Sequence, residues 1–273
     1  MHADRGAGVC NHQHLLVRDN RGVFPEFLAH LHQMIAKSLN VHWQRHENFW
    51  APGQPSAVYL VESGDRFDKL VYLLANPVTD HLVEHVADWP GASSFSLHLS
   101  GREKTVKRPT RFFRQNGPMP EQVTLRLERP DGFEELSEAA WRDKISTAVR
   151  AAEEKARARR TLDRTRVLGR KAVLRAKPTD RPDTVAPRGG LRPLLACHRR
   201  ERRDTELRAV LGFREAYRAA RKRWCAGFRD AIFPPGTSRM RRFGVQCAPV
   251  SAPVPLPLSS NEEPTLRYPR AAS

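Results

Sequence analysis

Two short stretches of this 273-residue chain carry side chains that could do chemistry together. The first reads Cys10-Asn11-His12-Gln13-His14-Leu15-Leu16-Val17. On a strand, alternate side chains share a face, so His12 and His14 would project together. Two neutral imidazoles at that spacing can hold one divalent metal. The same letters also describe two surface histidines on an edge strand. The second stretch reads Leu70-Val71-Tyr72-Leu73-Leu74-Ala75-Asn76-Pro77-Val78. On a helix Tyr72 and Asn76 are i and i+4, so phenol and amide share a face one turn apart. A tyrosine beside a metal can attack phosphorus, and an amide oxygen can be a third ligand. A core tyrosine followed by an Asn-Pro helix stop is the plainer reading. Cys10 with His12 and His14 would make a corner of a zinc site, but no fourth ligand stands nearby.

The elements that must position these groups follow from periodicity and breakers. Val9–Val17 reads as a short strand, closed by an Asp19-Asn20-Arg21-Gly22 turn. Pro25 suits the first turn of a helix whose apolar positions are Phe27, Leu28, Leu31, Ile35 and Leu39. Glu47–Pro55 is a loop. Ser63 or Asp65 can cap a second helix through Phe67, Leu70, Val71 and Leu74, which Asn76-Pro77 is expected to end. Asp88-Trp89-Pro90-Gly91 reads as a turn, and Gln122–Glu128 alternates like a strand. Ser137 opens a long charged helix on Trp141, Ile145 and Val149. Its stripe thins to alanines beyond Ala152, which predicts a solvated arm near Arg160. Pro178–Pro193 is a Pro/Gly/Arg-rich connector. Glu206–Trp224 is helical, with Val210, Tyr217 and Trp224 seven apart. Its aromatics suit a core better than a base-stacking platform. Ala248–Ser273 has the Pro/Ser composition of a disordered tail.

Charge is unevenly placed. The net charge is +17, yet residues 150–245 hold 28 Lys/Arg against 10 Asp/Glu, and the remainder is close to neutral. A field of this kind attracts polyanions, because neutralised phosphates release counterions. Salt-dependent nucleic-acid affinity is therefore expected to reside in that segment. No apolar run reaches a bilayer-spanning length, and Met1–Val9 lacks the apolar stretch of a secretory signal. Four cysteines without a Cys-x-x-Cys pair fit reduced thiols in a cytoplasm.

A His-x-His strand, an amphipathic helix, a Phe-Trp loop and a Tyr-x-x-x-Asn-Pro helix, in this order, resemble the HUH single-strand DNA transposases. Among these the REP-associated tyrosine transposases and their long-tailed relatives are most similar. The resemblance rests on Asn11, His12, His14, Leu15 and Leu16, on Tyr72, Asn76, Pro77 and Val78, and on Trp89, Pro90, Ser93 and Ser94. The Arg-Phe-Phe-Arg and Gly-Pro-Met-Pro stretch within Arg111–Pro120 is a looser match. The resemblance implies an α+β fold: a partial ferredoxin-like HUH domain over 1–100, a mostly helical basic extension over 101–247 and a disordered tail over 248–273. It implies Tyr72 as nucleophile, and His12, His14 and Asn76 as ligands of Mg²⁺ or Mn²⁺. Single-stranded or hairpin DNA would be cut and rejoined through a 5′-phosphotyrosine link, and a homodimer is compatible with it. Three departures stand out. Gln13 replaces a hydrophobic residue, Thr79-Asp80 replaces a frequent Arg-Ala, and the His-x-His stretch starts where the family has further residues before it. An N-terminally truncated, weakly active domain is the expectation. The alternative function is a non-catalytic nucleic-acid-binding protein derived from a transposase.

Overall fold

The computed structural model describes residues 12–20, 22–50, 55–110, 112–177 and 193–249. In chain order the elements are α1 (Phe24–His42), β1 (Tyr59–Leu60), α2 (Ser63–Thr79), α3 (Phe95–Ser100), β2 (Lys104–Lys107), β3 (Gln122–Leu125), α4 (Glu138–Asp163), α5 (Arg170–Arg175), β4 (Leu195–Ala196), α6 (Arg200–Cys225), β5 (Ile232–Phe233) and β6 (Gln246–Cys247). Helices mixed with small sheets make this an α+β chain, and no sheet among the described residues exceeds two strands. No helix among them is long and apolar enough to cross a membrane.

The chain folds as two compact units that are interleaved in sequence. One gathers residues 1–18 with 60–191, the other residues 19–59 with 192–273. The contiguous division at residue 100 is thus not followed, and the physical reason lies in α2. That helix buries Leu70, Leu74 and Val78 along one side, with Ala75, Asn76 and Pro77 also buried in its last turns. Such a stripe must be covered, and α4 covers it with Trp141, Ile145, Val149 and Ala156 in the same cluster. Phe67, Phe133 and Trp141 meet ring to ring at 5.3–6.1 Å, and buried His98 lies edge-on to Trp141. The basic segment is itself divided between the two units.

Local chemistry explains the boundaries. Glu62 caps α2 in a reciprocal box with Asp65, ahead of both Ser63 and Asp65, the two caps expected from sequence. Asn76-Pro77 does not end this helix, which continues to Thr79. Proline removes only its own N–H from the ladder, near the helix end. The Pro77 carbonyl accepts from Leu82 N and Val83 N at 2.9 and 3.2 Å, which turns the chain back over the last turn. Ser137 caps α4 by accepting from Ala140 N, as its position predicts. The solvated arm near Arg160 is corrected as well. Ala156 and Arg160 are both buried, because the stripe keeps its phase after Val149 although its residues become small or charged. Arg160 donates to Val78 O at 3.4 Å and to Glu84 Oε1 at 2.8 Å.

The expected strand at Val9–Val17 is not found: His12–Val17 is exposed and outside any strand, and residues 9–11 lie outside the described residues. Arg18 holds this segment instead, through Arg129 O at 3.3 Å, Glu128 at 3.4 Å and a contact with Asp131. The Gln122–Glu128 alternation yields the shorter β3, antiparallel to β2 with Thr105 opposite Thr124. Both strands are exposed, so the alternation here marks a solvated ribbon rather than a half-buried sheet. Where a turn was expected at Asp88–Gly91, a short 3-10 turn, Val86–Asp88, ends at its first residue. The Pro-rich connector (except residue 193) and the tail beyond residue 249 lie outside the described residues.

In the other unit, α1 begins as Pro25 predicts, and the Asp19 carboxylate accepts from Val23 N and Phe24 N at 3.0 and 2.9 Å. None of its residues is fully buried and the expected apolar position Phe27 is exposed, while Glu26 accepts from Ser238 Oγ at 2.7 Å and His32 stacks on Trp50. Helix α6 packs Ala220, Tyr217 and Trp224 around fully buried Phe233 of β5, which pairs in parallel with β6. The core reading of Tyr217 and Trp224 matches this packing.

Two outcomes follow. Ile145→Ala should lower the stability of its unit by about 2–5 kcal/mol, read as a urea midpoint shift, whereas Val123→Ala on the exposed ribbon should stay within about 0.5 kcal/mol. Burial holds the His98 imidazole below its ordinary pKa. The unfolded chain then binds the proton more readily, so stability is full above about pH 6.5 and falls as pH drops below it. Melting curves across that window should show a shallower fall in His98→Gln.

Candidate metal and nucleophile site

Tyr72 is a half-exposed residue on the side of α2 away from its buried stripe. Leu70 and Leu74 define the inward direction, and a residue two positions from each must point nearly opposite on a 3.6-residue helix. It is 48% exposed. The edge of the His14 ring meets the Tyr72 ring at a centroid distance of 5.7 Å and an interplanar angle of 77°. His12 in turn meets His14 at 4.8 Å and 81°. The three side chains therefore form one continuous edge-to-face chain, although the backbone that carries the histidines is not a strand.

Asn76 stands one turn beyond Tyr72 and is 6% exposed. Its burial comes from the reversal at His81–Val83, which folds over the last turn of α2 and ties both Leu82 N and Val83 N to Pro77 O. Its backbone carbonyl accepts from Asp80 N and from the Thr79 hydroxyl at 2.9 and 3.0 Å. Two charged neighbours were not anticipated from the sequence. The Lys69 ammonium sits 5.3 Å from the Tyr72 ring centre, as an i,i+3 neighbour on the same helix. Asp80 acts on His14 through its negative charge. The i,i+3 spacing of Lys69 and Tyr72 was legible, had a cation been sought beside the phenol.

The electrostatics favour a neutral imidazole. Burial pushes the His14 pKa below its ordinary value, the charge of His12 pushes it further down, and Asp80 partly opposes both. Neutral imidazole is the metal-ligating form. His12 and His14 adjoin each other, but with Asp80 they do not form a cluster of three ligand atoms, and the Asn76 side chain is buried. Cys10 lies outside the described residues, and the zinc corner with it. Trp89 packs against the main core, and Ser93 Oγ accepts from Phe95 N at 3.2 Å where α3 begins.

Comparison with known proteins finds no matching family model, no matching curated protein and no matching solved structure.

Mn²⁺ affinity, measured by calorimetric titration, should fall as pH is lowered through the imidazole range, because the ligands must shed protons to bind. His12→Ala and His14→Ala should each lose most of that affinity, and Lys69→Gln should leave it largely intact.

Proposed function

We propose that this chain is a transposase-like enzyme that cuts and rejoins single-stranded DNA through a 5′-phosphotyrosine intermediate. The observation that carries the reading is the edge-to-face chain of His12, His14 and Tyr72, which joins residues about sixty apart in sequence. In this reading residues 1–100 hold a partial ferredoxin-like HUH domain, an assignment that rests on motif order. Hairpin DNA and a homodimer belong to the same proposal, as does a cytoplasmic setting.

The roles divide among the side chains. His12, His14 and Asn76 would hold the divalent ion, with Asp80 near His14 adding negative charge. When bound, the ion supplies positive charge to a phosphate oxygen. The Tyr72 phenol oxygen attacks phosphorus as its proton leaves. The Tyr72 O–P bond forms, the bond from phosphorus to the 3′ oxygen breaks, and the freed 3′ oxygen takes up a proton. One phosphodiester is exchanged for another, so no external energy source is needed. The Lys69 ammonium stands where it can offset negative charge on the phosphate. Half-exposure of Tyr72 leaves its oxygen open to an incoming strand.

A non-catalytic nucleic-acid-binding protein is the second reading, favoured by the exposed, strand-free setting of His12 and His14. A covalent adduct separates the two. With Mn²⁺ and a labelled hairpin-flanked single strand, denaturing gels should show a protein–DNA adduct that Tyr72→Phe abolishes while DNA binding stays nearly unchanged. No adduct in the parent chain, with binding intact, would favour the second reading. An adduct that survives Tyr72→Phe would assign the nucleophile elsewhere.

A further inference from the structure

At the C-terminal end of α4 the first unit carries an open cleft of about 450 Å³. We propose that this cleft, built by Glu84 with Arg157, Arg160, Arg164 and Arg166, docks the phosphodiester backbone of single-stranded DNA. Four guanidiniums face a single carboxylate, which leaves a surplus of positive charge in one concavity. Glu84 is already engaged, by Arg160 at 2.8 Å and by Arg157 at 3.4 Å. Arg160 is buried and also bonded to Val78 O, so its role is to hold α4 against α2. Arg164 and Arg166 are different: both are exposed, and neither makes an ion pair with any described residue.

These two arginines sit on a fixed loop rather than on a loose end. Arg164 terminates α4 in the left-handed region at φ 52°, and Thr165 N donates to Arg160 O at 3.1 Å. Leu168 N and Gly169 N then donate to His81 O and Leu82 O, each at 2.9 Å. The segment that carries these two guanidiniums is therefore tied at both ends. Planar guanidiniums match phosphate oxygens with paired donors, and like charges crowded in one cleft are relieved when an anion binds. Thr161 and Thr165 add hydroxyls to the same lining.

The choice of a nucleic-acid strand over an isolated anion rests on the proposed function. Val78, to which Arg160 is bonded, lies six residues beyond Tyr72 on α2, a rise of about 9 Å along the axis. A strand engaged at Tyr72 would pass round α2 to reach the cleft, because Tyr72 faces away from the seam that Val78 and Arg160 share.

The test uses the full chain, a fluorescein-labelled oligothymidine and EDTA, with anisotropy followed over a salt series. Each phosphate contact on a single strand contributes about 0.7 to the slope of log K against log salt. Arg164→Asn with Arg166→Gln should shrink that slope by about 1.4, and asparagine tolerates the left-handed backbone at 164. Arg166→Gln alone, which leaves the helix end intact, should shrink it by about 0.7. Arg142→Gln with Arg150→Gln removes the same charge from the exposed face of α4 and should change it much less. Arg164→Lys with Arg166→Lys should keep it. A slope equal to that of the parent, or to that of the Arg142/Arg150 control, would overturn the proposal. Because EDTA prevents metal-dependent cutting, a normal slope loss without any adduct elsewhere would sustain the cleft while the strand-cutting reading fell.

Discussion

The packing of α4 on α2 is the interaction on which the first unit depends. Leu70, Leu74 and Val78 from α2 meet Trp141, Ile145, Val149 and Ala156 from α4, and most of these side chains are almost wholly removed from water. Where the apolar stripe runs out, Arg160 continues it in another chemistry. Its stem is buried along the seam, and its head is satisfied by the Val78 carbonyl and the Glu84 carboxylate. A buried cation is tolerated only when paired and hydrogen-bonded, and both conditions are met here.

That seam determines what is left for function. With one side of α2 committed to α4, Tyr72 and Lys69 remain on an uncovered side. The histidines reach them on a segment that no ladder holds. Arg18 anchors the segment by contacts with Arg129 O, Glu128 and Asp131, and Arg66 adds a second cation on Asp131 at 3.3 Å. The site is thus assembled from a rigid helix and an ionically tethered strip. Such a strip is less confined than a strand, because no backbone ladder fixes its register.

The same seam distributes the charge. Its far end gathers arginines at the close of α4, where the loop to α5 is bonded back to the His81–Leu82 reversal. Burial and the neighbouring Arg160 push the His81 pKa down, while Asp80 and Asp163 oppose them. Asp80 therefore acts on both His14 and His81.

Local sequence determined the helices and their caps. Pro25 begins α1, Ser137 caps α4, and the spacing of Leu70, Leu74, Trp141, Ile145 and Val149 marks the sides that pack, because capping and a 3.6-residue period act within a few residues. The pairing of Tyr72 and Asn76 one turn apart was legible for the same reason. Tertiary structure alone decided the rest. Whether His12–Val17 joins a sheet depends on a neighbouring strand, not on its own alternation. Whether Pro77 stops a helix depends on where it falls in the folded turn, and here the chain reverses just after it, with Leu82 N and Val83 N donating to its carbonyl. Whether Arg160 is solvated depends on a distant partner, Glu84, whose position only the folded chain provides. Charge and proline carry meanings that local pattern cannot assign, since their cost is set by partners brought close only by folding.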